Sequence, residues 1–142
     1  MLEIGSKAPQ FVLESTKGII DLNKQLSKIL IIFYPRNNTS GCTKQLRAAQ
    51  DSIDQYRDLG VSVIAINPGS LESHHRFADK YGFEFPLCHD ANKEVAKTYR
   101  VLTDEGKISR TVYILDDKKI ICYAKKGRPE TEELLEVINS IK

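Results

Sequence analysis

Cysteine is scarce in this chain of 142 residues, with only Cys42, Cys88 and Cys122. Three widely spaced thiols exclude the disulfide framework that staples small secreted domains, and they leave at least one thiol outside any intramolecular bridge. Long apolar runs are also missing. The longest, Ile29 to Tyr34, has six residues, against the roughly 20 that a membrane-crossing helix needs. The opening "MLEIGSKAPQ" has neither the charged start nor the apolar core of a secretory signal. Neither sign of charge dominates: 21 Lys and Arg stand against 19 Asp and Glu, for a net charge of +2 with no basic block. Nothing in that balance calls for nucleic acid. With no internal repeat, low-complexity tract or linker, the expectation is one soluble, cytoplasmic domain over 1–142, long enough to bury a core and too short to divide in two.

What is present is a sequence of short strands and amphipathic helices. "QFVLEST" and "GIIDLNKQL", separated at Lys17-Gly18, suit an N-terminal hairpin. "KILIIFY" (28–34), rich in Ile and stopped by Pro35, reads as a strand buried on both faces of a sheet. From Cys42 onward Leu46, Ala49, Ile53 and Tyr56 recur at spacings of three and four, which predicts one helix ending near Gly60. "VSVIAINP" follows as a second buried strand, and Ser70 is placed to cap a helix through about Tyr81, stopped at Gly82. "FEFPLCHD" leads, with Asp90 as a cap, into a helix around Lys93 to Tyr99. "RTVYILDDKKIICYA" reads as two strands around Asp116-Asp117-Lys118, and "ETEELLEVINSIK" as a terminal helix with Leu134, Leu135, Ile138 and Ile141 on one side. The βαβα order implies parallel strands with right-handed crossovers. The predicted fold is therefore α/β and thioredoxin-like: a central mixed sheet, an N-terminal hairpin, and helices on both faces.

Cys42 falls where the strand over 28–34 has turned into the first helix. Unpaired backbone N–H groups and the positive end of the helix dipole favour a thiolate there, which is the reactive form of the side chain. The same position also suits a small apolar side chain packed into a strand-to-helix corner. A thioredoxin-type redox pair would need a second Cys three positions on, and Gln45 stands there. The spacing Pro35-x-x-x-Thr39-x-x-Cys42 offers other chemistry. A rigid Pro can shield the turn from water, and a hydroxyl can donate to one oxygen while accepting from another. Taken singly, Thr39 also reads as an ordinary turn or cap residue, Pro35 as a strand terminator, and Arg110 as a surface cation or half of an ion pair.

"FYPRNNTSGCTKQ" resembles the active-site segment of the peroxiredoxins, PxxxTxxC, and within them the bacterioferritin-comigratory or PrxQ-like branch. The similarity extends from "GSKAPQFVL" through "FPLCHD" to "RTVYILDD". It implies a thiol-dependent peroxidase that reduces hydrogen peroxide and small organic hydroperoxides without metal, haem or flavin. Under the resemblance Cys42 is the peroxidatic nucleophile that becomes a sulfenic acid, and Thr39 positions peroxide and thiolate. Pro35 shields the thiolate, and Arg110 stabilises the thiolate and the departing oxygen. The reductant would be a thiol system such as thioredoxin or a glutaredoxin-like protein, and the assembly a monomer or weak dimer. A thioredoxin-like redox sensor or holdase without turnover is the alternative from another class.

The chain departs from the family pattern where a resolving cysteine is expected. Arg47 stands five residues after Cys42, and Ala78 in "SHHRFADKYGF" occupies the other usual position. Cys88, at the expected end of a strand, is the remaining internal candidate, with a packed thiol of no catalytic role as the other reading. A one-cysteine cycle, with an external thiol reducing Cys42, is preferred to resolution by Cys88. Cys122 alternates with Ile120 and Ala124, the pattern of a core-facing thiol without function. His74, His75 and His89 read as solvated side chains, because neighbouring residues of a helix diverge by about 100°.

Overall fold

The computed structural model describes residues 1–141. Seven strands form one sheet in the order β2-β1-β5-β4-β3-β6-β7. Its centre is β3 (Lys28–Phe33), whose neighbours are β4 (Val61–Asn67) in parallel and β6 (Thr111–Leu115) antiparallel. The apolar run in β3 is thus buried from both sides, as its composition requires. Strand β5 (Leu87–His89) continues the parallel set beside β4. The hairpin of β1 (Val12–Ser15) and β2 (Gly18–Asp21) closes one edge, and β7 (Ile121–Lys126) the other.

Two hydrophobic layers cover the sheet. One combines Leu30, Ile32 and Val63 with side chains of α1 (Ser40–Asp51), α2 (Ile53–Asp58), α3 (Leu71–Tyr81) and α5 (Thr131–Ser140). The other joins Ile29, Ile31 and Ile66 to Val95 and Ala96 of α4 (Glu94–Thr98) and to Phe11 of the N-terminal segment. Period-two alternation along β3 sends successive residues to opposite layers, which is how one strand serves both. Among the described residues no helix is long and apolar enough to cross a membrane. The end of the expected terminal helix, Lys142, lies outside the described residues.

Local chemistry explains the element boundaries. The Ser70 hydroxyl caps α3 by accepting from the Ser73 N–H at 3.1 Å, and Gly82 ends that helix at φ +67°, a conformation that suits a residue without Cβ. The Asp90 carboxylate accepts from the N–H groups of Val95 and Ala96 at 3.2 and 3.0 Å, and so holds the start of α4.

Three expectations need correction. The helix predicted from Cys42 to near Gly60 begins at Ser40 and breaks at Ser52. The backbone there leaves the helical region at φ −107° and ψ 12°, and the new direction carries Tyr56 into the core. Cys122 is half-buried and outside both apolar layers; the neighbouring Ile121 takes the core position because the β6–β7 register shifts at Ile114/Leu115. His74 is fully buried, not solvated, on the inner face of α3. Cys88 lies one residue from the end of β5, as expected, opposite Ile66 on one side and Ser15 on the other.

Candidate active site

The turn between β3 and α1 comprises residues 34–39, and Thr39 is the N-cap residue of α1. Asn38 takes φ +63° within it, a left-handed conformation that Asn tolerates better than most residues. The first bond of α1 near the thiol runs from the Thr43 N–H to the Thr39 carbonyl at 2.9 Å. Cys42 is therefore third in the helix, within the turn whose backbone N–H groups have no intrahelical partner. Its side chain has no exposed surface, although Pro35, Arg36 and Asn38 to Ser40 around it are exposed.

Arg110 enters from the chain just ahead of β6. Its Nη2 donates to Cys42 Sγ at 3.3 Å and its Nη1 to Gln45 Oε1 at 2.7 Å. The position that denies this chain a second helix cysteine thus holds the guanidinium on the first. The guanidinium also lies over Gly41, where an added Cβ would stand in ordinary van der Waals contact with Arg110 Nη2 at 3.4 Å. A second cation, Arg128, reaches the Gly41 carbonyl with Nη1 at 3.4 Å. Such an arrangement favours negative charge on the sulfur and on an oxygen leaving it.

Thr39 and Pro35 line an open cleft on the exposed side of the same turn. The Thr39 hydroxyl donates to the Arg36 carbonyl at 3.2 Å, which leaves its oxygen lone pairs as acceptors. It makes no hydrogen bond to the Cys42 sulfur. Of the residues predicted for the site, then, Cys42 and Arg110 are in contact, and Pro35 and Thr39 border the adjoining cleft.

Cys88 is not part of this assembly. It belongs to the apolar layer with Phe33 and Ile66, whereas Cys42 belongs to the opposite layer with Ile32 and Tyr34, so the sheet separates the two thiols. Burial, aided by the Asp90 carboxylate, pushes the Cys88 thiol up to about 12. Cys122 is also remote: Gly127 is bonded to Arg110, and Cys122 lies five positions before Gly127 along extended chain, about 16 Å of strand.

Asn37 has a role that the PxxxTxxC spacing leaves blank. Its Oδ1 accepts from the Tyr34 hydroxyl at 2.7 Å and from Asn67 Nδ2 at 3.2 Å. Its Nδ2 donates to Ser73 Oγ at 3.0 Å and to His74 Nδ1 at 2.8 Å. With Nδ1 accepting, the imidazole proton sits on Nε2 and is donated to the Cys88 carbonyl at 3.0 Å. Burial is the main cause that lowers His74 to about 4, so the ring is neutral at physiological pH. The turn is thereby tied through one amide to β4 and α3. A polar residue immediately after an apolar strand and Pro was the available signal, but the partners come from distant segments.

Residues 4–124 match the model of the AhpC/TSA family. The chain is 35% identical to the chloroplastic peroxiredoxin Q of Sedum lineare over 146 residues, covering 97% of this chain and 78% of the plant protein. It superposes on peroxidoxin BcpB of Mycobacterium tuberculosis with a TM-score of 0.92 at 22% identity, covering 100% of this chain and 99% of the other. A yeast mitochondrial 1-Cys peroxiredoxin, studied for thiol resolution via glutathione/thioredoxin systems, gives a TM-score of 0.90 at 25% identity, with 99% of this chain and 76% of that one covered.

Proposed function

The chain belongs to the AhpC/TSA family and is a thiol-dependent peroxidase of the peroxiredoxin type, and we propose that it works by a one-cysteine cycle on Cys42. The observation that carries this reading is the separation of Cys42 from Cys88 by the sheet, together with the contact between Cys42 and Arg110. The Cys42 thiolate attacks one peroxide oxygen, an S–O bond forms as the O–O bond breaks, and the departing oxygen takes a proton to leave as water or alcohol. Arg110 stabilises the thiolate and the departing oxygen, with its orientation held by Gln45. Pro35 shields the thiolate, and the free lone pairs of Thr39 accept the peroxide O–H.

An internal disulfide would require the two Cα atoms to approach within about 7 Å. Moving Cys88 to that position would withdraw it from β5, whose neighbours pair with it on both sides. External thiol therefore reduces the sulfenic acid, the route that the resolution of the yeast relative via glutathione/thioredoxin systems also suggests. Cytoplasmic location and a monomer or weak dimer complete the reading. The test is peroxide consumption beyond one equivalent of protein, sustained by a thiol. It should persist in Cys88→Ala and vanish in Cys42→Ser; loss of turnover in Cys88→Ala with the fold retained would overturn the one-cysteine cycle.

A further inference from the structure

A second cavity, of about 270 Å³, lies between α1 and the start of α5, on the face of the sheet that these helices cover. That volume is near the lower end of the range of small-molecule sites, about 300–1,000 Å³. Leu30 and Ile32 of β3 and Val112 of β6 line it from the sheet, and Ala48 of α1 and Leu134 of α5 from the helices. Cys42 is not among the lining residues, so the cavity is no approach to the sulfur.

The charged lining is cationic on balance. Lys44 and Arg128 stand against a single carboxylate, Glu130, and none of the three joins an ion pair among the described residues. All three are exposed, which puts charge at the mouth of the cavity and hydrocarbon behind it. Two lining residues also touch the Cys42 assembly. Arg128 reaches the Gly41 carbonyl with Nη1 at 3.4 Å. Gln45 holds Arg110 through Oε1, while its Nε2 has no hydrogen-bond partner among the described residues.

We infer that this cavity binds a medium-chain carboxylate, and that the bound ligand damps the reactivity of Cys42. The hydrocarbon chain covers Leu30, Ile32 and Val112, and the carboxylate accepts from Arg128 and from the free Nε2 of Gln45. A chain without charge would leave the two cations unmatched, and a charge without a chain would leave the apolar lining wet. The carboxylate sets negative charge beside Arg110 and Arg128, the two guanidinium groups that favour the Cys42 thiolate, and so lowers the positive potential at the sulfur. Oxidation by peroxide then slows. The effect concerns oxidation alone, and is the same whichever thiol later reduces the sulfur.

The experiment titrates octanoate into the reduced full chain by calorimetry, with hexanoate and octanol for comparison. It also measures the rate constant for oxidation of Cys42 by hydrogen peroxide with and without saturating octanoate. Hexanoate should bind on the order of tenfold more weakly for its two missing methylenes, and octanol more weakly than octanoate for want of charge. Saturating octanoate should slow wild-type oxidation by about threefold. Ala48→Leu, a change at an exposed helix position that fills the cavity, should weaken octanoate on the order of tenfold and abolish the slowing, with the fold checked by circular dichroism. Arg128→Gln should weaken octanoate and leave octanol unaffected. Arg36→Gln/Lys107→Gln, in the separate cleft beside Thr39, should bind octanoate as the wild type does. No binding at millimolar octanoate, octanol binding as tightly as octanoate, or equal affinity in wild type and Ala48→Leu overturns the site. Binding with an unchanged oxidation rate, or slowing that persists in Ala48→Leu, overturns the damping. Peroxide consumption without octanoate reads the peroxidase by itself, so its failure is distinct from failure of the site.

Discussion

His74 makes stability depend on pH in a window fixed by its burial. In the unfolded chain the imidazole titrates at its ordinary value of 6.5, and in the folded protein at about 4, mainly because burial disfavours the charged ring. Between those values the unfolded state binds more protons, so stability rises with pH through the window. The contribution is complete above pH 6.5, is lost as pH falls, and reaches its floor near pH 4. The full loss is roughly 3 kcal/mol, and at about pH 4.5 it is already roughly 2 to 3 kcal/mol. The geometry gives the same direction, because a proton on Nδ1 would turn the acceptor of the Asn37 amide into a second donor facing it. Urea denaturation followed by circular dichroism, at pH 7 and 4.5, measures the loss in wild type and in His74→Gln. Whatever its absolute stability, the variant should lose less than the wild type by the amount above. Equal losses in the two proteins would refute the assignment of a buried neutral His74.

Arg110→Ala should slow oxidation of Cys42 by about 10- to 100-fold, because it removes a charge-assisted bond worth roughly 1.5–3 kcal/mol; an unchanged rate constant for oxidation would remove Arg110 from the reaction. Gln45→Ala should slow the same step by a smaller factor, since Arg110 keeps its charge and loses one anchor; rescue by Gln45→Glu, which retains the acceptor, separates positioning from damage to the helix. Asn37→Ala should destabilise the fold by about 1–3 kcal/mol in urea titrations by leaving buried polar partners unpaired, and a neutral effect would mean that water replaces the amide. Cys88 should resist iodoacetamide in the folded protein at neutral pH, because it is sealed from solvent and its thiol is pushed up to about 12; rapid labelling would place it on an opening segment.

The legible parts of the fold were those set by local pattern. The Ile-rich run at 28–34, the Ser70 and Gly82 boundaries of α3 and the apolar stripe of α5 all follow from neighbours within a few positions. The break at Ser52 does not, since apolar spacing continues across it and tertiary packing of Tyr56 decides the direction. In the site, the spacing from Pro35 to Cys42 marked the turn, and the family resemblance supplied Arg110. Gln45 was visible only as an absent cysteine, because its partner lies 65 residues away. His74 looked like a surface residue for the same reason: what buries it is β5 and an amide from the turn. Long-range pairing also decided Cys88, whose strand position was readable while the layer it faces was not.

In the proposed cycle Cys42 is oxidised alone and rescued from outside. Peptide mapping after one equivalent of peroxide, with dimedone present, tests it most directly. A one-cysteine cycle gives a dimedone adduct on Cys42, with Cys88 and Cys122 recovered as free thiols and the adduct absent when a reducing thiol is added first. A Cys42–Cys88 disulfide in place of the adduct would contradict it.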